Sequence, residues 1–348
     1  MMEVDEDTLE RAALTGHSAE WVAGGFEGPG RLFQLGDAAL RDLLLYSKLT
    51  PRQLEGTALL LLLPDDFYRE TLLGPCSAMP AAAFAGEEHL FAESLLRTTM
   101  QSLPERLLTS ALPGTRLQAI EFSFGGPAAF ARLLQRAYQL LTTRTVERCI
   151  VGGLDSQVHG DALLAAYELG LLRTPNSPIG FLPGEAAGFV LLEMDRTSRA
   201  RGARIEALLG PVTLAEEDFD RFSRGAPSGK AIHAATAACF QQWSAQDAAV
   251  GVAIVNLNGD TFRSRDFGSA LVRMASAGLP TGFRTVLPVD SFGELGAATG
   301  PVSLCLAVRS FVRCYARTQN LLVMLLDERR LRSALLVHAP QPERLRHE

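Results

Sequence analysis

Histidine is scarce in this sequence, with six in 348 residues. His17, His89, His159, His233, His338 and His347 are scattered, and none stands at a strand end beside a candidate nucleophile. Catalysis of the Ser–His or Cys–His kind needs a base within hydrogen-bond reach of the nucleophile, and no such pair is visible. Cysteine is scarce too. The five, Cys76, Cys149, Cys239, Cys305 and Cys314, are odd in number, widely spaced and mostly in apolar surroundings. They read as reduced core thiols, which points to the cytoplasm. No CxxC pair or His/Cys cluster suggests a metal, and nothing suggests a cofactor. No apolar run approaches the roughly 20 residues that cross a bilayer; residues 59–63 are strand-sized and stopped by Pro64. The N-terminus, MMEVDEDTLE, lacks the basic-then-apolar order of a signal peptide. A net charge of −6 argues against nucleic acid or an anionic membrane as the main partner.

What is present is an ordinary globular composition, 47% hydrophobic and 21% charged, in a chain long enough for one large domain or two fused ones. The stretch 121–154, EFSFGGPAAFARLLQRAYQLLTTRTVERCIVGGL, organises the rest. Gly125-Gly126 permit a sharp turn, and Pro127 suits a first helical turn. After it, Phe130, Leu133, Leu134, Ala137 and Leu141 form an apolar stripe opposite Arg132, Gln135, Arg136 and Gln139. Cys149-Ile150-Val151 then reads as a buried strand that exits at Gly152-Gly153. A helix start beside a buried strand often carries a nucleophile or an anion site. Here that place holds Gly, Gly and Pro, which do no chemistry.

Elsewhere the pattern alternates. Strands are expected at 57–63, 117–122, 187–193, 205–209, 252–257 and 285–289, with a closing hairpin of 321–326 and 334–337. Helices are expected at 38–46 with Asp37 as cap, 87–103 ending before Pro104, 161–170, 228–243, 266–277 and 296–315. Alternating strands and helices mean an α/β fold with mostly parallel central strands. The similar order of the two parts suggests two fused βα units, 1–198 and 199–348.

Three glycine-rich phrases invite functional readings. In GFLPGEAAGFVLLE, Glu185 is a candidate acid or base, or a structural acceptor of backbone N–H groups in a tight turn. In NLNGDTFRSRD, at a strand's C-terminal end, Asn258, Asp260 and Asp266 are placed to bind a ligand or to make Asx-type turns. SFGELGAATG opens a helix with small residues but lacks a P-loop lysine, so close helix packing explains it better than phosphate binding.

In this order the phrases resemble the thiolase superfamily, and the β-ketoacyl synthases in particular. A strand ending in Ala-Gly-Gly is similar to Ile150-Val151-Gly152-Gly153, and a GF-x-x-GE-x-A-G phrase is similar to residues 180–193. The resemblance spans about residues 30 to 340 and implies a thiolase fold, two similar βα halves in alternating helix and sheet layers. It also implies a dimer whose two subunits extend a common sheet through residues 117–122, with the central helix buried on nearly all sides.

The departures fall on chemistry. The family's cysteine nucleophile maps to Pro127 and its two histidines to Asn258 and Glu294; its lysine maps near Val289-Asp290, and its glycine-rich gate to Asp327-Glu328-Arg329-Arg330. The family's first strand and helix have no clear counterpart before residue 30. The resemblance, with these departures, implies a degenerate, non-catalytic protein without cofactor or metal that acts by binding, as a homodimer or with a related, effector or adaptor protein. GFLPGEAAG and GELGAATGP are similar to the short thiolase-like proteins encoded beside type VI secretion effectors. A chain-length-factor-like partner of an active ketosynthase is the second expectation. An acyltransferase or hydrolase with another nucleophile, such as Ser123, is the third.

Overall fold

The structure, a computed structural model, describes residues 2–4, 11–73, 87–158, 160–243 and 249–340. Cys76, His159 and His347 lie outside these residues, as does the side chain of His89. In chain order the elements begin with β1 (Met2–Val4), β2 (Arg11–Ala13), α1 (Glu20–Ala23), α2 (Gly28–Ser47), α3 (Pro51–Glu55), β3 (Thr57–Leu63), α4 (Phe67–Leu73) and α5 (Glu87–Ala111). Then come β4 (Ala119–Phe124), α6 (Phe130–Thr142), β5 (Arg148–Ser156), α7 (Gly160–Glu168), β6 (Glu185–Glu193) and α8 (Asp195–Ala200). The remainder is β7 (Leu208–Glu216), α9 (Lys230–Gln242), β8 (Val252–Val255), α10 (Thr261–Ser276), β9 (Arg284–Val286), α11 (Val289–Phe292), α12 (Thr299–Val312), β10 (Asn320–Leu326) and β11 (Leu331–His338).

The strands form two large sheets, β4-β3-β5-β6 and β9-β8-β10-β11-β7. Each has a parallel core and one antiparallel strand, β6 on β5 and β11 on β10. The apolar runs explain the stacking. On β3, Leu59, Leu61 and Leu63 face the outer helices α2 and α5, while Ala58, Leu60 and Leu62 face inward against α6. The second sheet repeats this, turning Leu322, Met324 and Leu326 toward α9 and α10 and Leu321, Val323 and Leu325 inward. Both central helices therefore lie between the sheets, giving five layers: helices, sheet, helices, sheet, helices. Each fully buried leucine contributes roughly 1.5–3 kcal/mol relative to exposure, so a one-residue slip of β3 would move alternate leucines to the wrong layer. At the crossing of α6 and α12, a Cβ on Gly300 would overlap Phe130, so glycine sets how closely they approach.

Several boundaries differ from the periodicity. α2 starts at Gly28 with Pro29 in its first turn, so Asp37 lies inside the helix rather than capping it. α5 runs through Pro104 because Met100, Leu103, Leu107 and Leu108 share one buried face across it. β7 begins at Leu208, and α10 begins at Thr261 because Asp260 caps it by accepting the Arg263 N–H. α6 is also less buried than expected. Arg132, Gln135 and Gln139 are exposed, and the stripe ties outward, Arg136 to Glu121 and Gln135 Nε2 to the Val212 carbonyl.

Candidate functional site

Asn258 and Glu294 meet between the sheets: Asn258 Nδ2 donates to Glu294 Oε2 at 2.8 Å. Glu294 comes from the loop after α11, where its N–H donates to the Leu182 carbonyl, and its Oε1 accepts the Gly296 N–H. The same carboxylate receives Arg263 Nη1 at 2.7 Å, and Arg263 Nη2 reaches Glu328 Oε1 at 2.6 Å. Arg221 pairs with the other oxygen of Glu328 and, at 2.5 Å, with Asp260. Two guanidinium groups and three carboxylates thus make one contiguous network, and each side chain is at most 8% exposed.

Burial alone would push the Glu328 carboxyl up, but Arg263 and Arg221 outweigh it and hold it at about 2. Burial would likewise push Arg263 down, yet Glu294, Glu328 and Asp260 keep it well above its ordinary value. Glu328 and the two arginines are therefore held in their charged forms across the physiological range. Asn256 locks the neighbouring backbone, exchanging two hydrogen bonds with Leu326, and its own carbonyl accepts Arg263 Nη1. Tyr68, from α4, lies beside the network and stacks on Phe181; desolvation raises its hydroxyl well above the usual range.

Pro127 occupies the first position of the tight turn that opens α6 and is buried. The glycine ahead of it faces a different group. A Cβ on the preceding Gly126 would collide with the Asp327 carboxylate, so the residue after β10 fills the space ahead of this helix. Burial, and then Asp65, raises Asp327 to about 6. Asp155, from β5, makes the reciprocal contact at the other central helix, accepting the Ala297 N–H at 2.8 Å; burial raises it to about 7. Arg329 covers the outside, bonded to Asp65 and Glu70 and lying 4.6 Å from the centre of the Phe67 ring.

Glu185, Asp260 and Asp266 all serve as structural acceptors. Glu185 holds Arg31 through both oxygens and accepts the Ser156 hydroxyl and the Ala19 N–H. Burial opposes its charge, but Arg31 and Ser156 bring its carboxyl below the ordinary value. Asp266 accepts Arg332 Nε at 2.6 Å and the Gly229 N–H. Ser123, half-buried on the α6 side of β4, has no hydrogen-bonded base among the described residues. His338 packs edge-on against Trp243, and burial lowers it to about 4. Among the described residues no group of His, Cys, Asp and Glu side chains is arranged to hold a metal ion, and no helix is long and apolar enough to cross a membrane.

Sequence reading missed Arg221, Arg263, Asp155 and Tyr68. Only Arg263 had a local signal, since an Asp three residues earlier in a cap position brings the first helical turn over its own carboxylate. Glu328 stood out only as replacing a glycine-rich gate.

No protein-family model matches the chain, and no curated protein matches it in sequence. Solved structures match it in shape. One is a type II PKS acyl-carrier protein in complex with its ketosynthase bound to the hexaketide, with TM-score 0.69 and 12% identity over 89% of this chain and 85% of that one. Another is the ishigamide ketosynthase/chain length factor, with TM-score 0.67 and 16% identity over 89% and 82%. A third is an oxazolomycin ketosynthase domain of Streptomyces albus JA3453, with TM-score 0.68 and 13% identity over 96% of this chain. The chain spans 65% of that last protein's length and 58% of a bacillaene synthase ketosynthase from Bacillus subtilis 168. The fold is thus the thiolase-type fold of the ketosynthases.

Proposed function

We propose that this protein is a non-catalytic, ketosynthase-shaped binding subunit that pairs with a second copy or a related chain. The observation that carries this reading is the network at Asn258 and Glu294. Acyl transfer and condensation need a nucleophile and neutral donors aimed at developing negative charge. Pro127, Asn258 and Glu294 supply neither thiolate nor imidazole, and Glu294 adds a negative charge where an oxyanion would form.

Pairing rests on β4. It is an edge strand, bonded only to β3 among the described residues, with Ile120, Phe122 and Phe124 each 39% exposed in a row. An apolar open edge of this kind calls for cover. The likeness to a ketosynthase/chain length factor favours a related chain as that cover. The secretion-accessory setting remains part of the proposal, with gene neighbourhood as its discriminator: an intact ketosynthase and acyl carrier protein, or spike and effector genes.

Incubation with acyl-CoA or acyl carrier protein, read by intact-mass spectrometry, tests the non-catalytic reading. The expected result is no acyl mass shift. A shift mapped near α6 overturns it, and one mapped to Ser123 would favour a hydrolase or acyltransferase.

A further inference from the structure

We infer that the outer edge of β6 is a receptor for one extended strand of a partner protein, inserted antiparallel between α2 and α12. The two sheets differ at one edge. In the second, β7 lies antiparallel along the outer side of β11, from Leu331↔Glu216 to His338↔Leu208. In the first, β6 holds the place of β11 and bonds only to β5 among the described residues. Burial follows the pairing. The apolar residues of β11 are at most 9% exposed, whereas only Glu185, Gly188 and Phe189 of the nine β6 residues are buried.

The loop before β7 reaches this edge only at its Glu193 end, where Glu206 accepts from Tyr46 of α2 and Arg201 bonds Glu193 and the Ser47 carbonyl. Around β7, Gln135 of α6 donates to the Val212 carbonyl and Arg132 pairs with Glu216. No further strand pairs with the outer side of β6 among the described residues, and on α12 Cys305 Sγ turns to the Phe189 carbonyl at 3.7 Å. α2 packs on one face of β6, with Ala187, Phe189 and Leu191, and α12 on the other, with Val190 and Leu192, so the two helices flank the edge. Val190 and Leu192 remain half-buried there, and Leu45, on the Asp42 side of α2, is 78% exposed.

This surface specifies its guest. Backbone groups of β6 supply the ladder, and the walls take alternating aliphatic side chains, as in strand addition to other open edges. Asp42 makes no ion pair among the described residues, so a basic residue on the guest beside α2 complements it. The inference does not depend on the non-catalytic reading or on pairing through β4.

The test fuses a donor strand to the N-terminus of the full chain through a Gly/Ser linker of about 30 residues, whose mean reach is roughly 30 Å and which raises the local strand concentration to the millimolar range. One donor copies residues 208–216; the other alternates valine and threonine and carries one lysine. Hydrogen–deuterium exchange is followed peptide by peptide. With at least one donor, exchange of residues 185–193 slows about tenfold or more, independently of protein concentration, while residues 119–124 are unchanged. Leu45→Arg together with Val190→Lys removes the slowing. Pairing across β4 would instead protect 119–124 in a concentration-dependent way. No slowing with either donor overturns the inference. So does full protection of 185–193 in the unfused chain that is lost on deleting residues 1–13, since the guest would then be this chain's own N-terminal segment.

Discussion

Replacing Arg263 by leucine is the sharpest perturbation of the buried centre. In the native chain Arg221 and Arg263 face Asp260, Glu294 and Glu328, an excess of one negative charge. Leucine fills much of the volume but leaves three carboxylates on one guanidinium. Glu328 keeps Arg221, whereas Glu294 keeps only Asn258 Nδ2 at 2.8 Å and the Gly296 N–H at 3.1 Å. Removing one partner of a buried pair costs about 3–5 kcal/mol, because the other is left charged and dry. Part of that returns through the leucine's apolar burial, so the expected loss at pH 7 is about 3 kcal/mol, read by urea denaturation. The pH dependence carries a sign. Glu328 is held at about 2, below its ordinary 4.5, so its stabilisation is complete above pH 4.5 and lost as pH falls toward 2. Without Arg263, the first of the cations that hold it down, Glu328 protonates more readily, so the penalty shrinks as pH falls from 7 to 4.5. Adding Glu294→Gln should recover at least half of the loss, a coupling expected only between residues in contact. A loss below about 1 kcal/mol at pH 7, or an equal loss at both pH values, would refute the argument that this network is charged and mutually dependent.

Gly126→Ala should destabilise by about 1–3 kcal/mol through overpacking, and Asp327→Ala should relieve most of it in a double-mutant cycle, because the added Cβ meets that carboxylate. Asp155 sits at about 7 instead of its ordinary 3.8, so the folded state holds its proton more tightly and stability falls as pH rises from about 4 to 7. Asp155→Asn should remove that part of the slope, on the order of 3 kcal/mol, in unfolding curves at pH 5 and pH 8. Phe122→Lys should abolish concentration-dependent association in light scattering while leaving circular dichroism unchanged.

Much of the fold was legible because its strands are short, dense apolar runs: residues 57–63 were readable from sequence alone, and the glycines flanking them marked turns. Boundaries failed where tertiary contacts override local signals. Asp37 looks like a cap in isolation, yet Leu32 and Leu35 already bury the preceding turn. At the site, Asn258 and Glu294 were named from the order of phrases, and they are hydrogen-bonded. Their cations were not legible, because Arg221 lies in a polar loop and only folding carries it 107 positions along the chain to Glu328. A charged run such as DERR normally reads as a solvated face. Here Asp327 and Glu328 are buried, Asp327 accepting the Arg329 N–H of its own turn and Glu328 meeting Arg263 of α10, while Arg332, just beyond the run, is buried against Asp266.

Charge inside and apolar residues at the sheet edges are consistent with each other. A pocket that binds and releases substrate needs groups that gain or lose partners during turnover, and such groups weaken the fold that carries them. The network of Arg221, Arg263, Asp260, Glu294 and Glu328 gives nearly every oxygen and guanidinium nitrogen a protein partner; Arg263 Nε alone among these nitrogens is buried without one. It therefore holds the start of α10, the loop after α11 and the end of β10 in one arrangement, and the Glu294 N–H ties that arrangement to the Leu182 carbonyl ahead of β6. A fixed centre in turn fixes the edges. β4 and β6 are the two borders of the same four-stranded sheet, joined through β3 and β5, whose leucines, isoleucine and valine are fully buried. A partner strand at either border thus meets a ladder already in register, and little conformational entropy remains to be lost on docking.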